Sequence, residues 1–270
     1  MSWIESVVLG LVQGLTEFLP VSSSGHLVLG KHVLGIESTE TGILFEVLVH
    51  FGTALSIVAV YRKDLVSLVA GFFRAATQPA RYREAWEANE EFRVSIFILL
   101  TMIPTGIVYV MFKDQLEALF SDPRATSFML IVTGILLLLT RIRSNPNGDN
   151  SPGKALLIGL AQSMAMIPGI SRSGSTICTA IYLNVEAKKA ADFSFLMLLP
   201  VVLGATLLKT GEALSMASAA PWGILLLGTF VAFVSGIIAI KVVLGFVQSG
   251  RLHYFAFYCF LVGGIGIALL

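Results

Sequence analysis

Hydrophobic residues run along this chain in long blocks, and six of them approach the roughly 20 residues that a helix needs to cross a bilayer. Polar and charged residues collect in the stretches between these blocks. The pattern predicts an all-α polytopic membrane protein with six full transmembrane helices. The six blocks are residues 41–61, 94–112, 125–140, 190–208, 221–240 and 254–270.

Two further apolar regions are interrupted by polar residues. The first polar segment, residues 12–27, has the sequence VQGLTEFLPVSSSGHL, and the second, residues 159–176, has the sequence GLAQSMAMIPGISRSGST. Each is flanked by short apolar runs and broken by proline and glycine, which predicts a helix, a loop and a second helix. Helices this short favour re-entrant hairpins, and irregular backbone at membrane depth is tolerated only where it lines a protein cavity.

The two polar segments align with each other. Residues 10–27 overlay residues 159–176 without a gap at an offset of 149 positions. This match predicts that the chain contains an internal repeat whose two loops face each other and form one site. Gly10, Leu11, Gln13, Ser22, Ser24 and Gly25 have identical partners in Gly159, Leu160, Gln162, Ser171, Ser173 and Gly174.

Loop charges orient the chain, because Lys and Arg collect on the cytoplasmic side of a membrane. One assignment places 13 of them inside and four outside, with Arg172 in neither group. The two halves then have opposite topologies, which is an inverted repeat with about ten helices, counting two per hairpin. We therefore expect one membrane domain, 1–270, with repeats 1–143 and 152–270 and a flexible linker, 144–151.

Composition supports the membrane class. The chain is 56% hydrophobic and 13% charged, against about 25% charged residues in a typical soluble domain. A net charge of +1 excludes nucleic acid as the expected partner, since a nucleic-acid-binding protein carries a basic surplus. For residues 64–93, which mix charged and aromatic side chains, an amphipathic interfacial helix and a solvated loop both stay open.

The first polar segment carries acid, base and hydroxyl groups. Gln13 and Glu17 are four residues apart and share one helix face, and an ionisable residue inside a membrane indicates function. The Glu17 carboxylate suits Mg²⁺ or Ca²⁺. Hydroxyls and loop N–H groups beside a helix start form an anion cradle. His26 is suited to act as a base, an acid or a nucleophile, whereas we expect His32, His50 and His253 to be structural.

The second polar segment adds a permanent cation. Arg172 donates in a planar fork that matches phosphate oxygens, although a structural pair with Glu17 is the alternative. Together the segments suit phosphoryl transfer, in which positioning and charge neutralisation supply most of the catalysis. Besides Arg172, the expected substrate-binding residues are Gln13, Ser22, Ser24, Gly169, Ser171, Ser173, Gly174 and Thr176.

These motifs resemble the undecaprenyl-diphosphatase family, known also as the bacitracin-resistance proteins. The resemblance rests on QGLTEFLPVSSSGH and PGISRSGST, and it extends through FEVLVHFGT (45–53) and ADFSFLMLLP (191–200). It implies a ten-helix inverted-repeat enzyme of the bacterial inner membrane. This hydrolase would act on a phosphorus-containing anhydride, converting undecaprenyl diphosphate to the C55 monophosphate carrier of cell-wall synthesis. We expect its site to open toward the periplasmic face.

The resemblance also implies residue roles and a cofactor. Glu17 would hold a divalent cation or shape the site, His26 would be the catalytic histidine, and Ser23 is a candidate nucleophile. Arg172 would clamp the diphosphate. Position 13 is Gln where many members have Glu, so Glu17 is the one clear anionic metal ligand. Attack by Ser23 activated by His26, by a metal-bound water, or by His26 itself all stay open, in that order.

Other functions remain alternatives at this point. Inverted repeats with broken helices are typical of transporters, so a lipid-phosphate transporter or flippase is the main one. A lipid-phosphate phosphatase of another type would need a later histidine after the arginine, which PGISRSGST lacks. The third alternative function is that of a purely structural membrane protein. Expected partners are undecaprenyl diphosphate and membrane lipid, and a homodimer stays open beside a monomer.

Overall fold

The structure is a computed structural model that describes residues 1–34, 40–78, 80, 82–143, 145–206 and 221–270. Within these ranges the chain is helical and has no β-strand, so the all-α prediction is confirmed. The helices are α1 (Trp3–Phe18), α2 (Ser23–Leu34), α3 (Glu40–Val60), α4 (Arg62–Ala76), α5 (Tyr82–Ala88), α6 (Glu90–Leu119), α7 (Pro123–Leu139), α8 (Pro152–Met164), α9 (Arg172–Tyr182), α10 (Ala187–Leu196), α11 (198–206), α12 (Trp222–Gln248) and α13 (Tyr254–Leu269).

Five helical stretches of the described chain are long and apolar enough to cross a membrane. They coincide with five of the six predicted spans, so a multi-pass membrane protein is confirmed. The sixth predicted span corresponds to α13, which is apolar but only 16 residues long. The end of the predicted span 190–208 lies outside the described residues. The five stretches are Gly42–Val60, Glu90–Leu119, Pro123–Ile142, Ala187–Thr206 and Trp222–Gln248.

Between α3 and α6 the chain forms two further helices, α4 and α5, where the sequence left an amphipathic helix and a loop open. One face of α4 is buried at Leu68, Gly71 and Ala75, a spacing that places the three residues on one stripe. This stripe packs against α6, and the Ser95 hydroxyl donates to the Leu68 carbonyl at 3.1 Å. The helical alternative therefore holds for most of this stretch, while Arg81 lies outside the described residues.

The linker between the two predicted halves is attached to the segment that follows α9, although the sequence predicts a flexible turn. The Gly148 N–H donates to the Asn184 carbonyl at 3.0 Å, and the Glu186 N–H donates to the Gly148 carbonyl at 2.8 Å. Lys189 donates to the carboxylate of Asp149, and this hydrogen bond holds the pKa of Asp149 below its ordinary value. These contacts restrain the linker because backbone and side-chain groups both have partners.

The first helix of each polar segment packs on a long helix of the other predicted half. Helix α1 packs on α12, and α8 packs on α6. A Cβ at Gly10 would lie 2.5 Å from the Gly228 carbonyl oxygen, and one at Gly159 would lie 2.8 Å from the Thr101 carbonyl oxygen. Small residues at such contacts let helix backbones approach closely in a membrane. Both glycine contacts hold the helix that leads into a polar loop closely against a long helix of the other predicted half.

Candidate active site

The structure places the loops of the two polar segments against each other. A Cβ at Gly25 would lie 3.1 Å from the Cα of Gly169. Gly169 has φ of +93°, in the left-handed region that glycine occupies without strain. The Ser173 hydroxyl, in the second segment, donates to the Leu19 carbonyl of the first at 3.2 Å. The two loops therefore form a single region, in agreement with the sequence overlay.

Helices α2 and α9 begin in this region with matching caps. The Ser22 hydroxyl accepts from the Gly25 N–H at 3.2 Å, and the Ser171 hydroxyl accepts from the Gly174 N–H at 3.1 Å. Ser24 and Ser173 lie 3.3 Å and 3.2 Å from these capping hydroxyls. Helix N-termini carry partial positive charge and bind anions readily. Two of them in one place favour an anionic ligand.

The two caps differ in backbone conformation. Ser22 has φ of +68°, whereas Ser171 has φ of −73°. A positive φ is uncommon for a residue other than glycine and costs of order 1–3 kcal/mol, and such strain clusters at active sites. The first segment therefore carries local strain at its cap, immediately before Ser23.

Glu17 is the centre of the polar contacts. Its side chain is buried, and its Oε1 accepts from Nη2 of Arg172 at 3.1 Å. Its Oε2 accepts from the Ser23 hydroxyl at 2.7 Å and from Nε2 of Gln13 at 3.0 Å. Ser23 and Arg172 are the first residues of α2 and α9, and they are separated by the 149 positions of the overlay. Residues at corresponding positions thus bind opposite oxygens of one carboxylate.

The guanidinium of Arg172 donates hydrogen bonds to protein acceptors through two of its nitrogens, and its third nitrogen has no acceptor in the described part of the chain. Its Nη1 donates to the Ser194 carbonyl at 2.9 Å. The Ser194 hydroxyl in turn lies 2.6 Å from the Thr176 hydroxyl. Nε of Arg172 is buried and has no hydrogen-bond partner among the described residues. An unpaired buried donor is costly, and an anion in the site would remove that cost.

His26 contacts Tyr258 and not Ser23. Its Nδ1 lies 2.8 Å from the Ser22 carbonyl oxygen, which only accepts, so Nδ1 carries the proton. Nε2 then accepts from the Tyr258 hydroxyl at 2.8 Å, and the two rings stack at an angle of 8°. The Ser23 hydroxyl donates to Glu17, so the group in contact with it is the carboxylate and not the imidazole. The pairing of Ser23 with His26 that the sequence suggested is not present.

Two residues near the site are missed by sequence reasoning. Nε2 of His50, on α3, lies 3.8 Å from Oε2 of Glu17, although the sequence predicts a structural role for this histidine. Tyr258 lies on α13, more than 230 positions from His26. His50 belongs to FEVLVHFGT, one of the stretches that carry the family resemblance, whereas Tyr258 lies in none of the quoted motifs. Both reach the site through packing between distant helices.

Gln162, the repeat partner of Gln13, is used differently. Its Nε2 donates to the Thr105 hydroxyl on α6 at 3.0 Å, far in sequence from any residue that contacts Glu17. The amide therefore joins α8 to α6. Of the two glutamines, Gln13 alone hydrogen-bonds to the central carboxylate in the described structure.

The residues around Glu17 fit a divalent cation as oxygen donors. Oε1 of Gln13 is buried and has no partner among the described residues, and the Glu17 carboxylate is adjacent to this amide. Carboxylate and amide oxygens are ligands of Mg²⁺ and Ca²⁺. The described residues hold no group of three His, Cys, Asp or Glu side chains suited to a metal. A cation here would thus need further oxygens from a ligand.

Comparison with known proteins identifies close relatives. A family model described as bacitracin resistance protein BacA matches residues 6–265. The undecaprenyl-diphosphatase of Salinibacter ruber is 54% identical over 274 residues, which cover 100% of both chains. Those of Christiangramia forsetii and Bacteroides fragilis are 43% and 42% identical, covering 97% and 100% of this chain and 96% and 98% of their own length.

Proposed function

The chain belongs to the bacitracin resistance protein family, and from this premise we propose that it is an undecaprenyl-diphosphatase. It hydrolyses the phosphoanhydride of undecaprenyl diphosphate and yields undecaprenyl phosphate and inorganic phosphate. Its hydrolase activity returns the lipid carrier to peptidoglycan synthesis. Bacitracin resistance accords with the description of the family.

One observation carries this proposal, namely the arrangement around Glu17. A buried carboxylate holds an arginine on one oxygen and a serine hydroxyl on the other, at the N-termini of two helices. The arginine and helix ends suit the charge of a diphosphate, and the hydroxyl beside a base suits nucleophilic attack. This combination matches the chemistry of phosphoryl transfer, which depends on positioning and charge stabilisation.

In the proposed reaction, Arg172 binds the diphosphate and Ser23 attacks it. A bond forms between the Ser23 oxygen and the terminal phosphorus while the bridging P–O bond breaks, and undecaprenyl phosphate leaves. The serine proton passes to Oε2 of Glu17, 2.7 Å away. Water then hydrolyses the phosphoserine, which restores the hydroxyl and releases phosphate. His26 acts as a base through Nε2, the atom that accepts from Tyr258 and carries no proton in this tautomer.

Other residues of the two segments hold the substrate in this proposal. Their hydroxyls and backbone N–H groups surround the starts of α2 and α9, where the diphosphate oxygens need donors. Most of these side chains are buried, so they act on a ligand inside the protein. This binding set is Gln13, Ser22, Ser24, Gly169, Ser171, Ser173, Gly174 and Thr176.

A divalent cation, Mg²⁺ or Ca²⁺, is part of the proposal. Glu17 and Oε1 of Gln13 would hold it, and it would neutralise negative charge on the diphosphate. Because Glu17 also contacts Arg172, a single carboxylate serves two cationic partners. We expect the protein alone to bind the cation weakly.

The architecture we propose has six full transmembrane helices and two re-entrant hairpins, α1–α2 and α8–α9. The packing of α1 on α12 and of α8 on α6 supports an inverted repeat of 1–143 and 152–270 with linker 144–151. Loop charges support an inner-membrane protein with its site open to the periplasmic side. A monomer and a homodimer both stay open, and the detergent-corrected mass of the purified protein distinguishes them.

Phosphate release tests the proposed reaction. The purified protein should release inorganic phosphate from C55 diphosphate in detergent, and a chelator should abolish the release until Mg²⁺ or Ca²⁺ is restored. Short-chain diphosphates in the same assay report how much the lipid tail contributes. A lipid transporter or flippase would release no phosphate, so an inactive but folded protein would reject the proposal.

A further inference from the structure

A cavity lies apart from the residues around Glu17. It has a volume of about 520 Å³ and lies between the end of α7, the start of α10 and the turn from α12 to α13. No residue of the two polar segments lines it. Its charged and titratable lining residues are Arg141, Arg143, Glu186, Lys188 and His253.

The charge of this cavity favours an anion. Three cationic side chains line it against the single carboxylate of Glu186. Lys188 is shared with Asp192, whose carboxylate it contacts at 2.7 Å. Arg141 and Arg143 are exposed, and neither makes a side-chain hydrogen bond or an ion pair within the described structure. Two unpaired arginines offer planar donor groups suited to phosphate oxygens.

His253 provides an independent sign of a missing ligand. Its Nδ1 is buried and has no hydrogen-bond partner among the described residues, and the residue lines the cavity. Buried polar atoms in folded proteins nearly always have partners, and each exception needs an explanation. A ligand oxygen that accepted a hydrogen bond from Nδ1–H would satisfy this atom. The same oxygen-rich ligand would neutralise the two arginines.

The surroundings of the cavity point to a lipid. Ile142 lies between the two arginines in sequence, and 81% of its surface is exposed. Tyr254, beside His253, is 52% exposed. Exposed apolar and aromatic residues next to cations are typical of a membrane interface. Loop charges assign this end to the cytoplasmic side, where basic pockets between transmembrane helices bind anionic headgroups.

We propose that this cavity binds the phosphate group of an anionic phospholipid, with Arg141, Arg143 and His253 as its donors. The acyl chains lie outside the cavity, along the apolar surface near Ile142. The site is separate from the proposed diphosphatase site, so it goes beyond that function and does not depend on it. The same phosphate chemistry belongs to free inorganic phosphate, which the experiment distinguishes.

Native mass spectrometry of the purified full chain tests the proposal. Phosphatidylglycerol and phosphatidylcholine of equal chain length are titrated into the wild type and into the Arg141→Gln/Arg143→Gln variant. We expect the wild type to prefer phosphatidylglycerol, and the variant to lose affinity for it by about tenfold. The Arg62→Gln/Arg83→Gln variant removes the same charge elsewhere on the predicted cytoplasmic side and should stay within about twofold of the wild type.

A charge-conserving variant, a folding control and a competition with phosphate complete the experiment. The Arg141→Lys/Arg143→Lys variant keeps the charge and should retain most of the preference, and equal melting temperatures in phosphatidylcholine show that the variants are folded. Equal binding of the two lipids by the wild type, or unchanged binding by the Gln variant, overturns the proposal. Displacement of the lipid by millimolar inorganic phosphate would assign the cavity to the free ion and also overturn it.

Discussion

Glu17 and Arg172 are 155 positions apart in sequence, yet Nη2 of Arg172 lies 3.1 Å from Oε1 of Glu17. Both side chains are largely buried, with exposed fractions of 7% and 13%. In a buried ion pair, the removal of one partner leaves an uncompensated charge and costs about 3–5 kcal/mol. The pair therefore links the two polar segments and supplies the cation that the first segment lacks.

Single and double substitutions separate the catalytic and structural roles of this pair. Glu17→Gln and Arg172→Gln should each lower phosphate release by at least about 10²-fold and lower the melting temperature in detergent. Glu17→Gln alone leaves the buried charge of Arg172 without a partner. The double variant should therefore be more stable than Glu17→Gln, because it retains no unpaired charge. Activity should stay absent in the double variant.

Exposed Glu117 offers the matched control for this series. Glu117→Gln removes a carboxylate from a side chain that is 65% exposed, so activity and melting temperature should both stay near the wild-type values. If the double variant recovered phosphate release together with stability, the pair would be structural and its proposed catalytic role would be wrong.

Ser23→Ala tests the nucleophile. Loss of the attacking oxygen should reduce turnover by on the order of 10³-fold or more in a metal-replete assay. In the wild type, quenched reactions should contain phosphoserine at position 23, detectable by peptide mass spectrometry. Ser67→Ala, on an exposed face of α4, is the control. Near-normal turnover of Ser23→Ala would assign the attack to water or to His26.

Tyr258→Phe tests the contact between Tyr258 and His26. The variant keeps the stacked ring and removes the hydroxyl that donates to Nε2, so His26 loses its orientation. We expect kcat to fall about tenfold with KM little changed, since general acid–base groups act in the transition state. Tyr254→Phe, one turn earlier on α13, should leave both constants unchanged. An equal effect of the two variants would show that Tyr258 has no specific role.

Gln13→Glu tests the metal site. A second carboxylate beside Glu17 should tighten the binding of Mg²⁺ or Ca²⁺, because cation affinity rises with the number of charged ligands. The expected result is half-maximal activation at a lower metal concentration and a larger metal-induced rise in melting temperature. Gln162→Glu is the matched control, since Gln162 bonds to Thr105 instead. An equal gain in both variants would place the cation elsewhere.

Cysteine labelling tests the orientation. The native Cys178 and Cys259 are buried and free, so they are replaced by alanine before single cysteines are introduced. Asn147→Cys in the linker should react with a membrane-impermeant maleimide only after the cell is opened. Ser121→Cys, between α6 and α7, should react in intact spheroplasts. The opposite result for this pair would invert the proposed topology and the side on which the site opens.

The sequence predicted the meeting of the two polar segments because each is a compact motif and the two align without a gap at an offset of 149 positions. Gln13, Glu17 and the serines share motifs, and the repeat match required the two loops to be related. The closeness of His50 and Tyr258 to the site was not predicted, although His50 lies in FEVLVHFGT, because it depends on how α3 and α13 pack against the first segment. The partner of Ser23 was also decided by packing, since both Glu17 and His26 are within six residues of it.

Ser23 and Arg172 occupy corresponding positions of the two repeats and bind the two oxygens of one carboxylate. A symmetric pair of identical half-proteins would place the same residue at both positions, either two serines or two arginines. The proposed chemistry needs one of each. When two copies are joined in one polypeptide, each copy can mutate independently. Gene duplication and fusion would therefore allow one repeat to supply the attacking serine and the other to supply the arginine that neutralises charge.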